Sequence, residues 1–255
     1  MANYVVSKGE LHFSLFRENT EIPSGFRFLG NAPEFNVTIE NETLDHFSST
    51  RGIREKDASI VLETNASGSI VLDDIQIENL ALFFFGESGA VAQTAATSQS
   101  ETFTDVKLGH SYQVGITTNN PTGVRSLSNV VVKVGVTTKT AGTDYTVDLE
   151  LGIVTVLAGG TILANDDIIV EYDRAAKSRK QVISGTDQVE GALRFISYNE
   201  QGEKLDYFLP KVKLAPNGDF ALISDEWQQL PLSIEILKAT GKERIYVDGR
   251  PFTAA

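Results

Sequence analysis

Apolar and polar residues alternate along much of this chain, and this alternation constrains the fold more than any other feature. Successive side chains of a β-strand point to opposite faces, so a period of two indicates a half-buried strand. In Glu34–Glu40, the side chains of Phe35, Val37 and Ile39 would face a core while the polar residues between them face away. Leu232–Ile236 repeats the pattern. The chain is therefore predicted to be mainly β, with strands that face a core on one side and water or a neighbouring molecule on the other.

Similar runs predict strands in other parts of the chain. Towards the two ends they are Leu11–Phe16, Ile60–Thr64, Gly191–Tyr198, Tyr207–Leu214, Asp219–Ile223 and Arg244–Val247. In the middle they are Asn129–Val136, Asp144–Leu149, Gly152–Leu157 and Asp167–Tyr172. Turn-forming residues separate the runs, and Pro216–Asp219 (PNGD) predicts a hairpin between two of them.

One segment has the pattern of a helix. The run Ile77–Phe85 follows Asp74, whose carboxylate suits an N-cap because it can accept hydrogen bonds from free backbone N–H groups. The run stops at Gly86, which suits a C-cap. A buried strand is the alternative, since the run is short and aromatic. We expect one short α-helix that packs on the flank of a sheet.

The domain organisation follows from a change in composition after this helix. Residues 87–102 are small and polar, rich in alanine, serine and threonine, and are predicted to form a linker or a flexible surface loop. The four middle strands then indicate a small β-sandwich or meander. We expect a discontinuous β domain from residues 1–102 and 181–255, with an inserted β domain at residues 103–180.

The composition excludes several kinds of chemistry. The chain has no cysteine, which excludes disulfides, thiolate zinc sites and a cysteine nucleophile. His12, His46 and His110 lack metal-ligand spacing, and no hydrolase, metalloprotease or nucleotide-binding motif is present. We therefore expect no enzyme activity, no metal and no cofactor.

The charge and the hydropathy limit the partners. The formal net charge is −12 and the isoelectric point is about 4.7, so the surface repels nucleic acid at long range. Any DNA partner would pass by the protein and not be gripped. The first residues lack the apolar core of a signal peptide, and no run of about 18 apolar residues is present. We expect synthesis in the cytoplasm and no membrane span.

Two short features have more than one interpretation. The acid pairs Asp73–Asp74 and Asp166–Asp167 could bind calcium or act as a glycosidase couple, but neither has the form of a calcium loop. Helix capping explains the first pair better, and a turn before a strand explains the second. Trp227 is the only tryptophan. We interpret it as a core or interface anchor, with a sugar-stacking platform as the alternative.

Segments at both ends of the chain resemble one family. In the N-terminal part they are Phe28–Phe35 (FLGNAPEF), Glu42–Ser49 (ETLDHFSS), Gly52–Asp57 (GIREKD) and Ile75–Gly86. In the C-terminal part they are Tyr207–Leu214, Pro216–Leu222, Asp225–Leu230 and Glu243–Pro251. These segments resemble the major tail tube proteins of long-tailed, non-contractile bacteriophages. The resemblance covers roughly residues 20–90 and 185–252, and the middle block is interpreted as a family-variable insertion.

The resemblance implies a fold and an assembly. The fold is two packed antiparallel sheets with a helix on the flank. Copies assemble into stacked, hexameric rings, in which strands of neighbouring subunits pair to form the channel for DNA ejection. The implied partners are other copies, the tape measure, tail terminator and distal tail proteins, and the passing DNA. The implied location is the tail of the virion.

The resemblance also implies an inter-subunit and inter-ring loop, mobile in the free subunit and ordered on assembly. Its residues here are Asp45, His46, Phe47, Ser48, Ser49, Arg51, Arg54, Glu55 and Lys56. A channel for DNA is best lined by acids, and Glu34, Glu40 and Glu235 are candidates because they lie on the polar faces of alternating strands. The simpler alternative is that these three glutamates face bulk water.

A second class of function stays open. Carbohydrate-binding β-sandwiches and virion adhesins also have alternating strands and an exposed tryptophan. They need several exposed aromatic side chains on one surface, whereas most aromatic residues here lie in apolar runs. The tail tube subunit is therefore the preferred hypothesis, and a hydrolase on a β scaffold is disfavoured by the absence of catalytic motifs.

Overall fold

The computed structural model describes residues 4–50 and 52–250. In this part the chain is mainly β, with antiparallel sheets and one helix, which confirms the predicted fold class. The chain divides into two compact units. Residues up to 88 and from 182 onward form unit 1, and residues 89–181 form unit 2. Unit 2 begins at residue 89, whereas the inserted domain was predicted to begin at residue 103, because residues 87–102, expected to be a linker, lie largely in two strands.

The described residues form seventeen strands and one helix. In order they are β1 (Gly9–Leu15), β2 (Arg27–Phe28), β3 (Glu34–Ser48), β4 (Glu55–Leu72), α1 (Ile77–Phe83), β5 (Glu87–Gln93), β6 (Ala96–Phe103), β7 (Ser111–Gln113), β8 (Leu127–Val134), β9 (Thr137–Thr138), β10 (Tyr145–Asp148), β11 (Ile153–Val156), β12 (Ile168–Arg174), β13 (Lys177–Ile183), β14 (Val189–Ser197), β15 (Leu205–Pro216), β16 (Leu230–Ile236) and β17 (Tyr246–Gly249).

Unit 1 is built on an eight-stranded sheet with the order β2–β1–β14–β15–β16–β4–β3, and β17 pairs with β15. The first strand of the chain therefore pairs with a strand near its end, with Leu11 opposite Phe195. The sheet curls, so that the rings of Phe35 on β3 and Phe195 on β14 lie 6.0 Å apart. The residues enclosed by this curl include Leu11, Phe13, Ile70, Leu193, Leu209, Leu214 and Leu230. Each buried side chain of this size contributes about 2 kcal/mol of apolar burial.

The predicted alternation is confirmed on β16 and only in part on β3. Leu232, Ile234 and Ile236 are buried. Phe35 packs against the same core, whereas Ile39 is 61% exposed. Val37, also expected to face a core, is exposed as well. The reason is that β3 extends past the edge of the core, so its alternation continues where no core covers it.

The connection between β15 and β16 differs from the prediction. The two strands pair, with Leu214 opposite Ile234, but a long loop joins them in place of a tight hairpin at Pro216–Asp219. Asp219–Ile223, predicted to be a strand, lies in this loop. Its Phe220 ring packs 5.7 Å from the ring of Phe83 in α1. Phe220, one of the apolar residues that suggested a strand, thus anchors the loop on α1.

The helix prediction is confirmed, but Asp74 does not cap α1. Gln76 occupies the N-cap position and makes no side-chain capping hydrogen bond. The carboxylate of Asp74 accepts a hydrogen bond from the Gln76 side chain at 2.7 Å. The helix is anchored instead by the buried Asn79, whose amide donates to the Leu29 carbonyl at 2.7 Å and accepts from the Arg27 guanidinium at 2.7 Å. Burial lowers the pKa of Arg27.

Gly86 takes part in the helix end but is not the C-cap, which is Phe84. Phe85 adopts the left-handed conformation, with φ of 50°, and the Gly86 N–H donates to the Ala81 carbonyl at 2.9 Å. This pattern of hydrogen bonds is a Schellman motif. Glycine is needed at position 86 because a Cβ there would overlap the backbone carbonyl of Ile183. Close approach of backbone, not a left-handed conformation, explains this glycine.

The loop that follows β1 is fixed by an ion pair to β15. The Lys211 ammonium donates to one Glu21 carboxylate oxygen at 3.0 Å, and the Thr240 backbone N–H donates to the other at 2.8 Å. The hydrogen bond from Thr240, and after it the one from Lys211, lowers the pKa of Glu21 from 4.5 to about 2. A group with a lower pKa in the folded state stabilises it above the unfolded pKa. This stabilisation is lost as the pH falls from 4.5 towards 2.

Glu21→Gln is therefore expected to lower the melting temperature near neutral pH and to flatten its decrease between pH 4.5 and pH 2. Circular dichroism melts over that pH range measure the effect. Glu18→Gln is the control, since it removes a carboxylate from the same loop without touching Lys211 or Thr240. A Glu21→Gln profile with the wild-type slope would contradict this assignment.

Unit 2 is a small β-sandwich, one of the two forms predicted for the middle block. Its sheets have the orders β10–β11–β7 and β6–β12–β8–β9, and they enclose one apolar core. Val154 and Val156 from the first sheet and Val132 and Val170 from the second have no exposed surface. The chain enters this unit along β5 and leaves it along β13, and these two strands pair with each other.

Candidate assembly surfaces

The three glutamates predicted to line a channel lie on one face of the unit 1 sheet. Strand pairing places Glu235 opposite Ser67, and Ser67 opposite Thr38. Thr38 shares a face of β3 with Glu34 and Glu40, because residues two apart along a strand point the same way. All three glutamates are exposed and lie on the side of the sheet opposite the core. The sequence placed each glutamate on the polar face of its strand, and the strand register brings the three together on one face.

The charge on this face is not uniform. Lys213 lies beside Glu235 on the neighbouring strand, with 3.9 Å between ammonium and carboxylate. Glu190 is opposite Lys213 on the next strand. Among the described residues no basic side chain pairs with Glu34 or Glu40. The negative charge of this face is therefore least compensated along β3, at the edge of the sheet.

Unit 1 holds nearly all of the net charge. Residues 89–181 contain nine acidic and eight basic side chains, so their net charge is −1 and the remainder carries −11 of the total of −12. The acidic character noted for the whole chain is thus a property of the unit with the large sheet. Unit 2 is close to neutral.

Beyond the core, β3 and β4 continue as a two-stranded arm, which we define as residues 40–63. Every residue of β4 from Glu55 to Asn65 is exposed, whereas Ala66 and Ile70, further along the strand, are buried. An isolated two-stranded ribbon is marginally stable in water, because it has no core on either face. The arm therefore has the structure of an element whose faces become covered when a partner molecule binds.

The predicted inter-ring loop is the end of this arm, and it is mostly strand. The prediction of a loop from Asp45 to Lys56 is thus wrong in its secondary structure, because strand pairing continues to Ser48 and Glu55. The individual placements are Asp45, His46, Phe47 and Ser48 in β3, Ser49 and Arg54 in the turn, Glu55 and Lys56 in β4, and Arg51 outside the described residues.

Contacts between the two strands order the end of the arm. The Lys56 ammonium lies 2.6 Å from the Asp45 carboxylate, and the Ser59 hydroxyl donates to the same carboxylate at 2.6 Å. These hydrogen bonds, that of Lys56 first, lower the pKa of Asp45. The Arg54 guanidinium lies over the ring of Phe47, 4.9 Å from its centroid. These contacts join the two strands at the end of the arm, where the resemblance implied a loop.

The arm exposes apolar side chains on both faces. They are Leu44, Phe47, Ile53, Ile60, Val61 and Leu62. Leu44 and Ile60 are directly opposite each other in the ribbon and form a continuous apolar strip. Contiguous exposed apolar surface marks sites of protein–protein contact. These side chains stay largely exposed in unit 1, so the arm is the strongest candidate for a contact between molecules.

The edge of the sheet is also open. Among the described residues no strand pairs with the outer side of β3, and β16 pairs with β4 only from Ser67 to Leu72. Strand β3 contains neither proline nor lysine, the residues that commonly prevent pairing at an edge. The opposite edge of the sheet is β2, which has two residues and covers only part of β1. Both edges can therefore accept a strand from another molecule.

Trp227 is 93% exposed, so the interpretation of this residue as a core anchor is wrong. It lies in the loop between β15 and β16, where Leu222 and Ile223 are also exposed. Sequence reasoning missed this surface because it assigned Asp219–Ile223 to a strand. The signal that could have found it was the run of charged and amide residues around the tryptophan, which is typical of a surface loop.

The two acid pairs noted in the sequence make local hydrogen bonds in the structure. No group of three or more histidine, aspartate or glutamate side chains is arranged to hold a metal ion within residues 4–50 and 52–250. Asp73 accepts hydrogen bonds from the Asn31 amide at 2.8 Å, and Asp166 accepts one from the Leu163 N–H at 2.8 Å. These carboxylates serve local structure. In the same ranges, no helix has the length and apolar character needed to cross a membrane.

Comparisons with known proteins place the chain in a family without describing its activity. A family model described as "Protein of unknown function UCP028589" matches residues 4–245. A comparison with curated proteins found no match. The matched range extends from the first part of unit 1, across unit 2, into the second part of unit 1.

Proposed function

We propose that this chain, which belongs to the family of proteins of unknown function UCP028589, is a structural subunit that assembles with copies of itself into stacked rings. The rings, hexameric by the resemblance to tail tube proteins, form the tube of a phage tail through which DNA is ejected. The tape measure, tail terminator and distal tail proteins are the proposed partners within the virion. The observation that carries the proposal is the arm, an ordered apolar ribbon with no core of its own.

The energetics of the arm favour contact with another copy. Its apolar side chains gain nothing from folding of the single subunit, because they stay exposed. Burial at about 25 cal/mol per Å² makes each of the larger ones worth roughly 1–2 kcal/mol at an interface. Repeated around a ring, these contributions are enough to offset the cost of association for a subunit present at high concentration.

The open edges support a ring in which the sheet continues from subunit to subunit. Pairing the outer side of β3 with the β1–β2 edge of the next copy is a heterologous contact, since two different edges meet. Such contacts close into rings or continue as helices. Closure into a barrel removes the unpaired backbone groups of both edges.

The acidic face supports a channel that does not hold DNA. Glu34, Glu40 and Glu235 share the face of the sheet opposite the core. If the sheet continues from copy to copy and closes into a barrel, every copy directs this face to the same side of the barrel wall. A net charge of −11 per copy of unit 1 gives that side a repulsive potential towards phosphate, which suits a molecule that DNA must pass without binding.

Negative-stain electron microscopy of the purified chain at high concentration tests the proposal. Tubes or rings with a central channel are the expected result. Particles of a single chain at all concentrations, with and without the tail proteins named above, would overturn it. Sedimentation velocity on the same samples distinguishes rings from irregular aggregates.

Glu235→Lys is expected to leave tube assembly intact and to slow DNA ejection several-fold in assembled virions, because six new positive charges per ring would hold the phosphates. Ejection kinetics monitored by a DNA-binding dye measure the effect. Glu150→Lys is a matched control, since each of the two glutamates has one lysine partner, at 3.9 Å for Glu235 and 3.5 Å for Glu150, and Glu150 lies in unit 2. Equal ejection rates for both variants would exclude Glu235 from the channel.

A carbohydrate-binding module is the second candidate, and the exposure of Trp227 is the observation that favours it. The exposed neighbours of Trp227, Leu222 and Ile223, are aliphatic. Sugar platforms use several aromatic faces and polar groups, so these neighbours suit a protein contact better. A glycan array with the wild-type chain and Trp227→Ala tests this candidate.

A further inference from the structure

The loop between β15 and β16, residues 217–229, is a second apolar surface in unit 1. Leu222, Ile223 and Trp227 are exposed by 77%, 97% and 93%. The loop is nevertheless held in place. The Phe220 ring packs on α1, and the Gln228 side-chain amide donates to the Ala221 carbonyl at 2.9 Å. Exposed tryptophan on an anchored loop is typical of a binding hot spot.

The loop carries negative charge, and the turn of the arm presents a positive side chain. Asp219, Asp225 and Glu226 are the charged residues of the loop, and all are acidic. Among the described residues of the arm's turn, 49–50 and 52–54, the charged side chain is that of Arg54. Arg54 is exposed, and Ile53 beside it is 89% exposed. Each surface thus combines apolar side chains with a charge that the other complements.

The two surfaces lie at opposite ends of unit 1. Leu230, the first residue after the loop, is opposite Leu72 at one end of β4. The turn of the arm joins β4 at its other end, at Glu55. At about 3.3 Å per residue, β4 separates the two surfaces by roughly 55 Å. The two surfaces of one molecule therefore cannot meet each other.

We propose that the end of the arm of one copy, with Ile53, Arg54 and Phe47, seats on the loop 217–229 of the next copy. The contact is heterologous and head to tail, so each copy gives one arm and receives another and the assembly grows along its axis. Trp227, Leu222 and Ile223 form the apolar centre of the seat, and Asp225 and Glu226 form its acidic rim. This inference rests on the proposed function, because it names the receiving surface for the arm.

Engineered cysteines test the contact directly, because the natural chain has none. The full chain with Ile53→Cys and Leu222→Cys is oxidised at high concentration and analysed on a non-reducing gel. Since the two positions cannot meet within one molecule, a head-to-tail contact gives a ladder of dimers, trimers and longer chains. Ile53→Cys with Val136→Cys is the matched control, because Val136 is 97% exposed and lies in unit 2. The control is expected to remain monomeric.

A charge exchange tests the recognition. Arg54→Glu is expected to lower the yield of the ladder roughly fivefold, as expected for the loss of about 1 kcal/mol at a rim ion pair. Adding Asp225→Arg and Glu226→Arg to the Arg54→Glu variant is expected to restore the yield of the ladder. The fluorescence of the single tryptophan gives a second reading, since seating of the arm should shift Trp227 emission to the blue and shield it from acrylamide.

The outcomes separate the inference from the proposed function. Tubes of the wild-type chain without a ladder would overturn the inference and leave the function standing. A ladder without tubes would support the contact and overturn the tube. Dimers from Ile53→Cys alone would show that arms meet arms, which excludes the head-to-tail contact. Trp227 binding to a glycan in place of the ladder would overturn both.

Discussion

Leu44→Asp combined with Ile60→Asp is expected to abolish tube formation while the subunit stays folded. These two residues are opposite each other on the arm and form its apolar strip. Loss of their burial at an interface removes about 3 kcal/mol per subunit, and two buried carboxylates add a further penalty. The critical concentration for assembly is therefore expected to rise more than roughly 100-fold.

Electron microscopy and sedimentation over a series of protein concentrations measure this effect. The melting temperature of the monomer should change little, because neither side chain contributes to the core and exposed substitutions shift stability by about 0.5 kcal/mol or less. Leu149→Asp with Leu163→Asp is the matched control, since both leucines are exposed and lie in unit 2. Assembly at the wild-type concentration by the arm variant would exclude the arm as an interface.

Removal of unit 2 is expected to leave a folded unit 1 that still assembles. The variant joins Ser88 to Val182 through a short glycine–serine linker, which β5 and β13 permit because they pair with each other. Unit 1 keeps its own core, and the residues buried in it come only from its own two segments. Both edges, the arm and the acidic face also stay in place.

Urea unfolding and electron microscopy measure this outcome. The full chain is expected to show two unfolding transitions and the shortened chain one, since each unit has a separate core. A shortened chain that folds but no longer forms tubes would show that unit 2 is part of the assembly. Excision of residues 105–180 alone is an instructive comparison, because it leaves β5 and β6 without their partner strands and should reduce solubility.

The alternating pattern predicted most strands because burial on one face is a local property of the sequence. It failed where burial depends on distant parts of the chain. Ile39 alternates like a core residue, but the sheet ends before reaching it. Residues 87–102 look like a linker because they are small and polar, yet β6 pairs with β12 more than sixty residues later. Such pairing is decided by the partner strand and leaves little signal in the segment itself.

The candidate surfaces were predictable to different degrees. The common face of Glu34, Glu40 and Glu235 follows from a period of two and from register, and only the first of these is visible in the sequence. The segment from Asp45 to Lys56 was predicted to be a loop from the resemblance and from its polarity, and it is mostly strand. It is polar because both faces of this part of the arm meet water in the single subunit. The exposure of Trp227 was missed because Asp219–Ile223 was assigned to a strand, although the charged and amide residues around the tryptophan are typical of a surface loop.

The pairing of β1 with β14 has a consequence for synthesis. A ribosome produces the arm early, whereas β14, β15 and β16, which complete the sheet and carry the loop 217–229, emerge last. Unit 2, which is continuous, can fold while the first strands wait. A nascent chain thus exposes the apolar arm before the loop 217–229 has been synthesised. The chains on a polysome therefore present arms but not yet the loops that would receive them. Under the proposed contact, two chains still in synthesis therefore cannot join each other, and at least one completed copy is needed.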